Sequence, residues 1–161
     1  MSTRGEGMRI NDAVRANIDK SILCWLATVG ADGVPNVSPK EIFASYGDDR
    51  IVIADIASAS SVKNIAGHPD VCVSFIDVFR QRGFKLTGVA SIIPPDMEDF
   101  AIVGAQLLSM AGRDFPVRNV ISVEVRKVAP IWAPSYALFP DRTEEEQMER
   151  AYDTYGVRPK S

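Results

Sequence analysis

The sequence predicts a mainly β domain, a small antiparallel barrel with helices confined to its margins and one crossover. Three observations lead there. Six apolar runs of strand length recur along the chain, separated by turns containing Gly, Asp or Pro. Helical periodicity is limited to short stretches between or outside those runs. At 161 residues with 46% hydrophobic side chains, the chain can bury one core, and it shows no repeat, low-complexity tract or linker. One domain is expected over 1–161, with its core at about 11–133 and a tail and helix at 134–161.

Taken in order, Asn11 is placed to cap a helix, Asp12–Lys20, with Val14 and Ile18 on one face. Ile22–Val29 (ILCWLATV) is a first strand, and Gly30-Ala31-Asp32-Gly33 a hairpin turn. Val34–Tyr46 is expected as a second strand, at an edge or bulged, because Pro35 and Pro39 cannot donate to a ladder. Gly47-Asp48-Asp49 turns into a third strand, Arg50–Asp55. The hydroxyl-rich run Ser58–Asn64 opens a short helix, Ser60–Ala66, closed by Gly67 and stopped before Pro69.

Val71–Val78 and Phe84–Ile93 are the fourth and fifth strands, with Gly88 marking a bulge or a close backbone approach. Pro94-Pro95-Asp96 breaks the sheet and starts a helix, Met97–Met110, whose Phe100, Val103, Leu107 and Met110 keep a helical period. Asn119–Val128 alternates apolar and polar residues as a sixth strand. A Pro- and aromatic-rich tail, Pro130–Pro140, leads to Thr143-Glu144-Glu145-Glu146, a capping box for a last helix reaching about Tyr155.

The net charge of −3 leaves no basic surplus for a run of phosphates, so no nucleic-acid partner is expected. No run approaches the ~18 apolar residues of a membrane span. Met1–Arg9 lacks the apolar core of a signal peptide, and a cytoplasmic protein is expected. Cys24 and Cys72 lie in apolar strand runs and read as buried free thiols. The lone His68, before Pro69 at a helix end, reads as a partner of the helix dipole. No metal site is expected.

Machinery for nucleophilic catalysis is missing. There is no G-x-S-x-G elbow, no P-loop and no G-x-G-x-x-G. Asp96, Glu98 and Asp99, like Glu144 to Glu146, sit where carboxylates complement a helix start. Any redox chemistry would come from a cofactor. Ser58–Asn64 offers a place for one, because hydroxyls, helix amides and Lys63 together suit a phosphate. The plain alternative is a capped surface helix.

The order of these motifs carries a resemblance. Ala27-Thr28 is followed by Gly30–Gly33, Val34-Pro35-Asn36-Val37-Ser38-Pro39-Lys40 and Arg50-Ile51-Val52-Ile53. Ser60–Ile65, Pro69-Asp70-Val71-Cys72-Val73 and Phe84-Lys85-Leu86-Thr87-Gly88-Val89-Ala90 complete the series. The chain resembles the pyridoxamine 5′-phosphate oxidase-like split barrels that bind FMN at a homodimer interface. The likeness runs from Ile22 to Ile93 and more loosely to Trp132.

The resemblance implies a six-stranded antiparallel split barrel of FMN-binding type, and roles for particular positions. Val37, Ser38, Pro39 and Lys40 would run along one edge of the isoalloxazine, and Ala54 and Asp55 would line its other side. Ser60, Ser61, Lys63 and Asn64 would hold the phosphate, with Lys40 or Lys85 as a second cation. Trp132 would approach the flavin from the partner subunit. Lys40 could instead be a charge guarding a strand edge, and Trp132 a core or interface residue.

Departures from the family pattern point away from the oxidase proper. Ser60 or Ser61 stands where many relatives carry Lys or Arg, and Gly83 where the oxidase has a flavin-contacting glutamine. No basic run follows Trp132; the apolar tail from Ile131 to Leu138 instead suits a covered dimer surface. The expectation is an FMN-dependent oxidoreductase, transferring hydride at flavin N5 to or from an unidentified small-molecule substrate or electron donor. The alternatives are an FMN carrier without a substrate, or a relative binding deazaflavin or haem.

Overall fold

The computed structural model describes residues 10–161; the polar segment Met1–Arg9 lies outside the described residues. Helix α1 (Asp12–Lys20) begins where expected, with the Asn11 side chain accepting from the Val14 amide at 3.0 Å. Strands β1 (Cys24–Val29) and β2 (Pro35–Lys40) form a hairpin around Gly33, whose φ of 78° is the left-handed geometry that glycine tolerates.

The expected second strand, Val34–Tyr46, is in fact two. β2 ends at Lys40, and β3 (Phe43–Tyr46) begins after the break at Glu41-Ile42. The sheet therefore has seven strands rather than six, in the order β2-β1-β5-β6-β7-β4-β3. The remaining strands are β4 (Arg50–Asp55), β5 (Asp70–Asp77), β6 (Arg82–Ile93) and β7 (Asn119–Trp132). β2 and β3 occupy opposite edges yet are joined by only two residues. The sheet must curl until those edges approach, which makes it an antiparallel half-barrel.

A register shift at Thr87/Gly88 bends the long β6–β7 ribbon. A β-carbon on Gly88 would collide with the Glu124 carbonyl, so the bulge requires glycine. β7 also runs further than its alternating pattern, through Pro130 to Trp132.

The barrel interior is filled by Leu26, Ile51, Ile53, Val73, Phe75, Leu86, Ile121 and Val123, and α1 closes it with Val14 and Ile18. A second apolar cluster, with Ala44, Val52, Ala54 and Val120, lies on the outer face of the β3–β4–β7 half. It is covered by Val103 of α3 (Asp99–Val103) and Leu107 of α4 (Ala105–Ala111). The single helix expected at Met97–Met110 is thus two, meeting at Gly104. A side chain there would clash with the Phe100 carbonyl oxygen and Val120.

The outer face of the other half, β2–β1–β5, has no such cover within the chain. Trp25, Val37 and Ile76 stay exposed there, and Cys72, expected to be buried, is only half-buried. After β7, α5 (Ser135–Leu138) leads into α6 (Glu144–Tyr155), whose Thr143–Glu146 capping box forms as expected. Among the described residues no helix is long and apolar enough to cross a membrane.

Candidate functional site

Alternation along β2 turns Asn36, Ser38 and Lys40 toward the barrel interior and leaves Pro35, Val37 and Pro39 outside. Lys40, opposite Cys24 in register, is only 7% exposed. A buried ammonium needs partners. Its Nζ donates to the Ser58 hydroxyl, at the turn between β4 and helix α2 (Ala59–Gly67). Beneath them Asp55, 3% exposed, accepts from the Ser58 amide at 2.9 Å through Oδ1 and from Asn119 Nδ2 at 2.7 Å through Oδ2.

Burial pushes Lys40 below the ordinary lysine value, with the charge of Asp55 pulling it back up. Burial raises the Cys24 thiol to about 12, against the opposing pull of Lys40 and its own backbone hydrogen bond. That thiol is held protonated and inert.

The start of α2 differs from the capped helix considered above. Ser58 occupies the cap position, but no side chain caps the helix. Its hydroxyl is turned to Lys40, so the first-turn amides remain available to a ligand. Ser60 and Lys63 are exposed around this open end, while Ser61 is buried, its hydroxyl 3.2 Å from that of Ser38. Asn64 reaches back to β1, donating to Thr28 Oγ1 at 3.0 Å. His68 ends the helix, its amide donating to the Asn64 carbonyl at 2.7 Å.

The fold thus brings Ser38, Lys40, Asp55, Ser61 and Asn64 around α2 in three separate sets of hydrogen bonds, with Ser60 and Lys63 on the adjoining surface. Other residues named from the sequence fall elsewhere within the chain. Ala54 faces the cluster under α3 and α4. Val37 and Pro39 lie on the uncovered outer face, as does Lys85, opposite Ser74. There Ala27, Val29, Pro35, Cys72, Thr87 and Arg126 border a groove of about 360 Å³. Burial raises the Cys72 thiol, and nearby Lys85 partly offsets this.

Trp132, 56% exposed, pairs in register with Arg82 at the far end of the β6–β7 ribbon. Sequence inspection missed Thr28 and Asn119; the only signal for Asn119 is its register opposite Asp55, which the sequence does not display. Among the described residues there is no cluster of three His, Cys, Asp or Glu side chains suited to a metal.

Comparison with known proteins agrees with this architecture. No curated protein matches the chain in sequence. In fold it is similar to HupZ of Group A Streptococcus, at 22% identity and a TM-score of 0.63, covering 74% of this chain and 91% of that one. An FMN-binding protein from Syntrophomonas wolfei subsp. wolfei is similar at 19% identity and a TM-score of 0.63, over 74% and 84% of the two chains. An F420 reductase is similar at 21% identity and a TM-score of 0.56, over 74% and 98%. At these identities the likeness is one of fold. The family model described as Pyridoxamine 5′-phosphate oxidase matches residues 10–132, from the start of α1 to the end of β7. On that match, the chain belongs to the pyridoxamine 5′-phosphate oxidase family.

Proposed function

We propose that this chain is an FMN-binding flavoprotein, active as a homodimer, that transfers hydride between flavin N5 and a small-molecule substrate or electron donor. One observation carries the proposal: α2 starts without a side-chain cap, between exposed Ser60 and Lys63 and the buried ammonium of Lys40. A phosphate there would accept from first-turn amides and from Ser60, while Lys63 offsets its charge. Flavin, when bound, supplies the redox chemistry. Two fold neighbours are named an FMN-binding protein and an F420 reductase, which supports a flavin-type ligand and leaves deazaflavin as a variant; haem is the other.

The dimer follows from the uncovered outer face of β2–β1–β5. Trp25, Val37 and Ile76 form an apolar surface that a second copy would bury. In such a dimer, backbone groups of Val37 to Lys40 and the partner subunit's Trp132 would border the ring, with Lys85 nearby. A side chain on Gly83 would collide with the Phe75 carbonyl, so this backbone excludes the oxidase's glutamine and favours another substrate. Two free thiols fit a reducing, cytoplasmic setting.

A second role, as an FMN carrier, is favoured by the engagement of the buried acid and base. Asp55 and Lys40 are both committed to the network around Ser58. Stopped-flow mixing with NADH and with NADPH separates the two: an oxidoreductase shows a saturable fast reduction of bound flavin, and a carrier shows none. The absorbance spectrum of the purified protein distinguishes FMN from deazaflavin and haem.

A further inference from the structure

The outer side of the β4–β7–β6 half changes character over three rungs. Ala54, Val120 and Ile93 are level in register and lie under α3 and α4. One rung on come Val52, Ser122 and Ser91, and one rung further Arg50, Glu124 and Val89. Side chains alternate along a strand, so all of these point to the same side of the sheet. Past the helices a cavity of about 310 Å³ opens, at the lower end of the range for small-ligand sites. Strand residues Arg50, Val89, Ser91, Ser122 and Glu124 border it, with Asp49 from the β3–β4 turn. That turn is fixed to β7 by the Val125 amide, which donates to the Asp49 carbonyl at 2.8 Å.

The polar groups of this cavity lack partners. Ser122 is 3% exposed, and its hydroxyl has no hydrogen-bond partner among the described residues, although its carbonyl accepts from Ser91 Oγ at 3.5 Å. A buried hydroxyl of this kind must find its partner in the cavity. Arg50 and Glu124 stand opposite each other in register, yet they turn apart. The guanidinium lies 4.9 Å from the Tyr46 ring centre, with Nε 3.9 Å from Asp49 Oδ1, too far for a hydrogen bond. Glu124 leans along its own strand to Arg126, at 3.3 Å. The Arg50 donors are therefore unused among the described residues. A cation and a carboxylate flank two serine hydroxyls with a gap between them.

We propose that this cavity binds a small α-amino acid, with its carboxylate on the Arg50 guanidinium and the Ser122 hydroxyl and its ammonium on Glu124. A zwitterion answers both charges at once. A plain anion would meet the carboxylates of Glu124 and Asp49, and a plain cation would meet Arg50, each at a repulsive cost. Every bordering residue belongs to one chain and none is among those assigned to the flavin, so the site stands apart from that reading.

The test is a titration of the isotope-labelled full chain with L-alanine, followed by amide NMR shifts. Propionate and ethylammonium serve as the same molecule lacking its ammonium or its carboxylate. L-Alanine should bind saturably, moving the amides of Val89–Ser91 and Ser122–Glu124, and at least ~tenfold more tightly than either control. Arg50→Gln and Glu124→Gln should each weaken it about tenfold, and Ser122→Ala about threefold. The Ser60→Ala/Lys63→Ala variant should bind L-alanine like the parent protein. Absence of saturable shifts, or shifts centred elsewhere in the chain, would overturn the proposal. So would a control binding as tightly as L-alanine, indifference to Arg50→Gln or Glu124→Gln, or loss of binding in the Ser60/Lys63 variant, which would place the ligand at α2.

Discussion

The Lys40 ammonium donates to the Ser58 hydroxyl, and through this contact a strand edge sets the chemistry of a helix start 18 residues on. A serine at the cap position ordinarily accepts from the helix's own amides. Here its hydroxyl is held by a buried cation, and its amide is held by Asp55 at 2.9 Å. The positive end of α2 is left for something else to satisfy.

Replacing Lys40 separates its electrostatic role from a structural one. Lys40→Met keeps the bulk and removes a desolvated charge, so stability should change by no more than ~1 kcal/mol, while FMN affinity falls about tenfold. Lys40 is held below its ordinary 10.5, so between the lowered value and 10.5 the unfolded chain binds more protons than the folded one. Its penalty is full below that window, and stability rises with pH through it. FMN affinity should fall over the same range as the ammonium discharges. Thermal melts and FMN titrations of parent and Lys40→Met protein from neutral pH to 10.5 check both signs, and identical profiles would exclude Lys40 as the cause.

At the helix start itself, Lys63→Ala changes an exposed residue and should cost under ~0.5 kcal/mol. Ser61→Ala removes one side of the Ser38–Ser61 hydrogen bond and should cost about 1 kcal/mol. Ser60→Ala combined with Lys63→Ala, which removes both exposed groups beside the open amides, should lower FMN affinity at least ~30-fold, by roughly 2 kcal/mol or more, with far-UV circular dichroism unchanged. Unaltered FMN binding would reduce this end of α2 to a fold element.

Val37 stands 58% exposed on the uncovered face beside Trp25. Val37→Asp should therefore leave the chain folded and shift it from dimer to monomer in sedimentation velocity, with flavin affinity falling as the interface is lost. A parent protein that sediments as a monomer at every concentration would contradict the dimer.

Gly88→Ala tests the bulge that bends the β6–β7 ribbon. The added carbon collides with the Glu124 carbonyl, and the backbone must move to accept it. A loss of about 3 kcal/mol is expected by denaturant unfolding, against under ~0.5 kcal/mol for Thr87→Ala on the exposed outer face.

Local chemistry was legible in the sequence, and long-range geometry was not. Asn11 caps α1 and Thr143 pairs with Glu146 as expected, because a cap is decided within four residues. Gly88 marks its bulge because only glycine fits there. The two prolines announced an irregular strand, but not that β2 and β3 would part to opposite edges of a seven-stranded sheet. That parting turns Lys40 inward and makes it a buried partner of Ser58 instead of an edge charge. The close approach of Gly104 to Val120, 16 positions on in β7, is a tertiary contact that a helical period does not display. The pairing of Glu144 with Arg80 and Arg82 escaped notice for the same reason, the glutamate lying 64 and 62 positions away.

The central claim, that the open end of α2 serves a flavin phosphate, is tested most directly by titrating the purified chain with FMN and with riboflavin. The account predicts saturable FMN uptake at one per chain, seen as a shifted and structured flavin absorbance near 450 nm, and at least ~30-fold weaker binding of riboflavin, which lacks the phosphate. Equal affinity for both ligands, or no uptake of either, would contradict it.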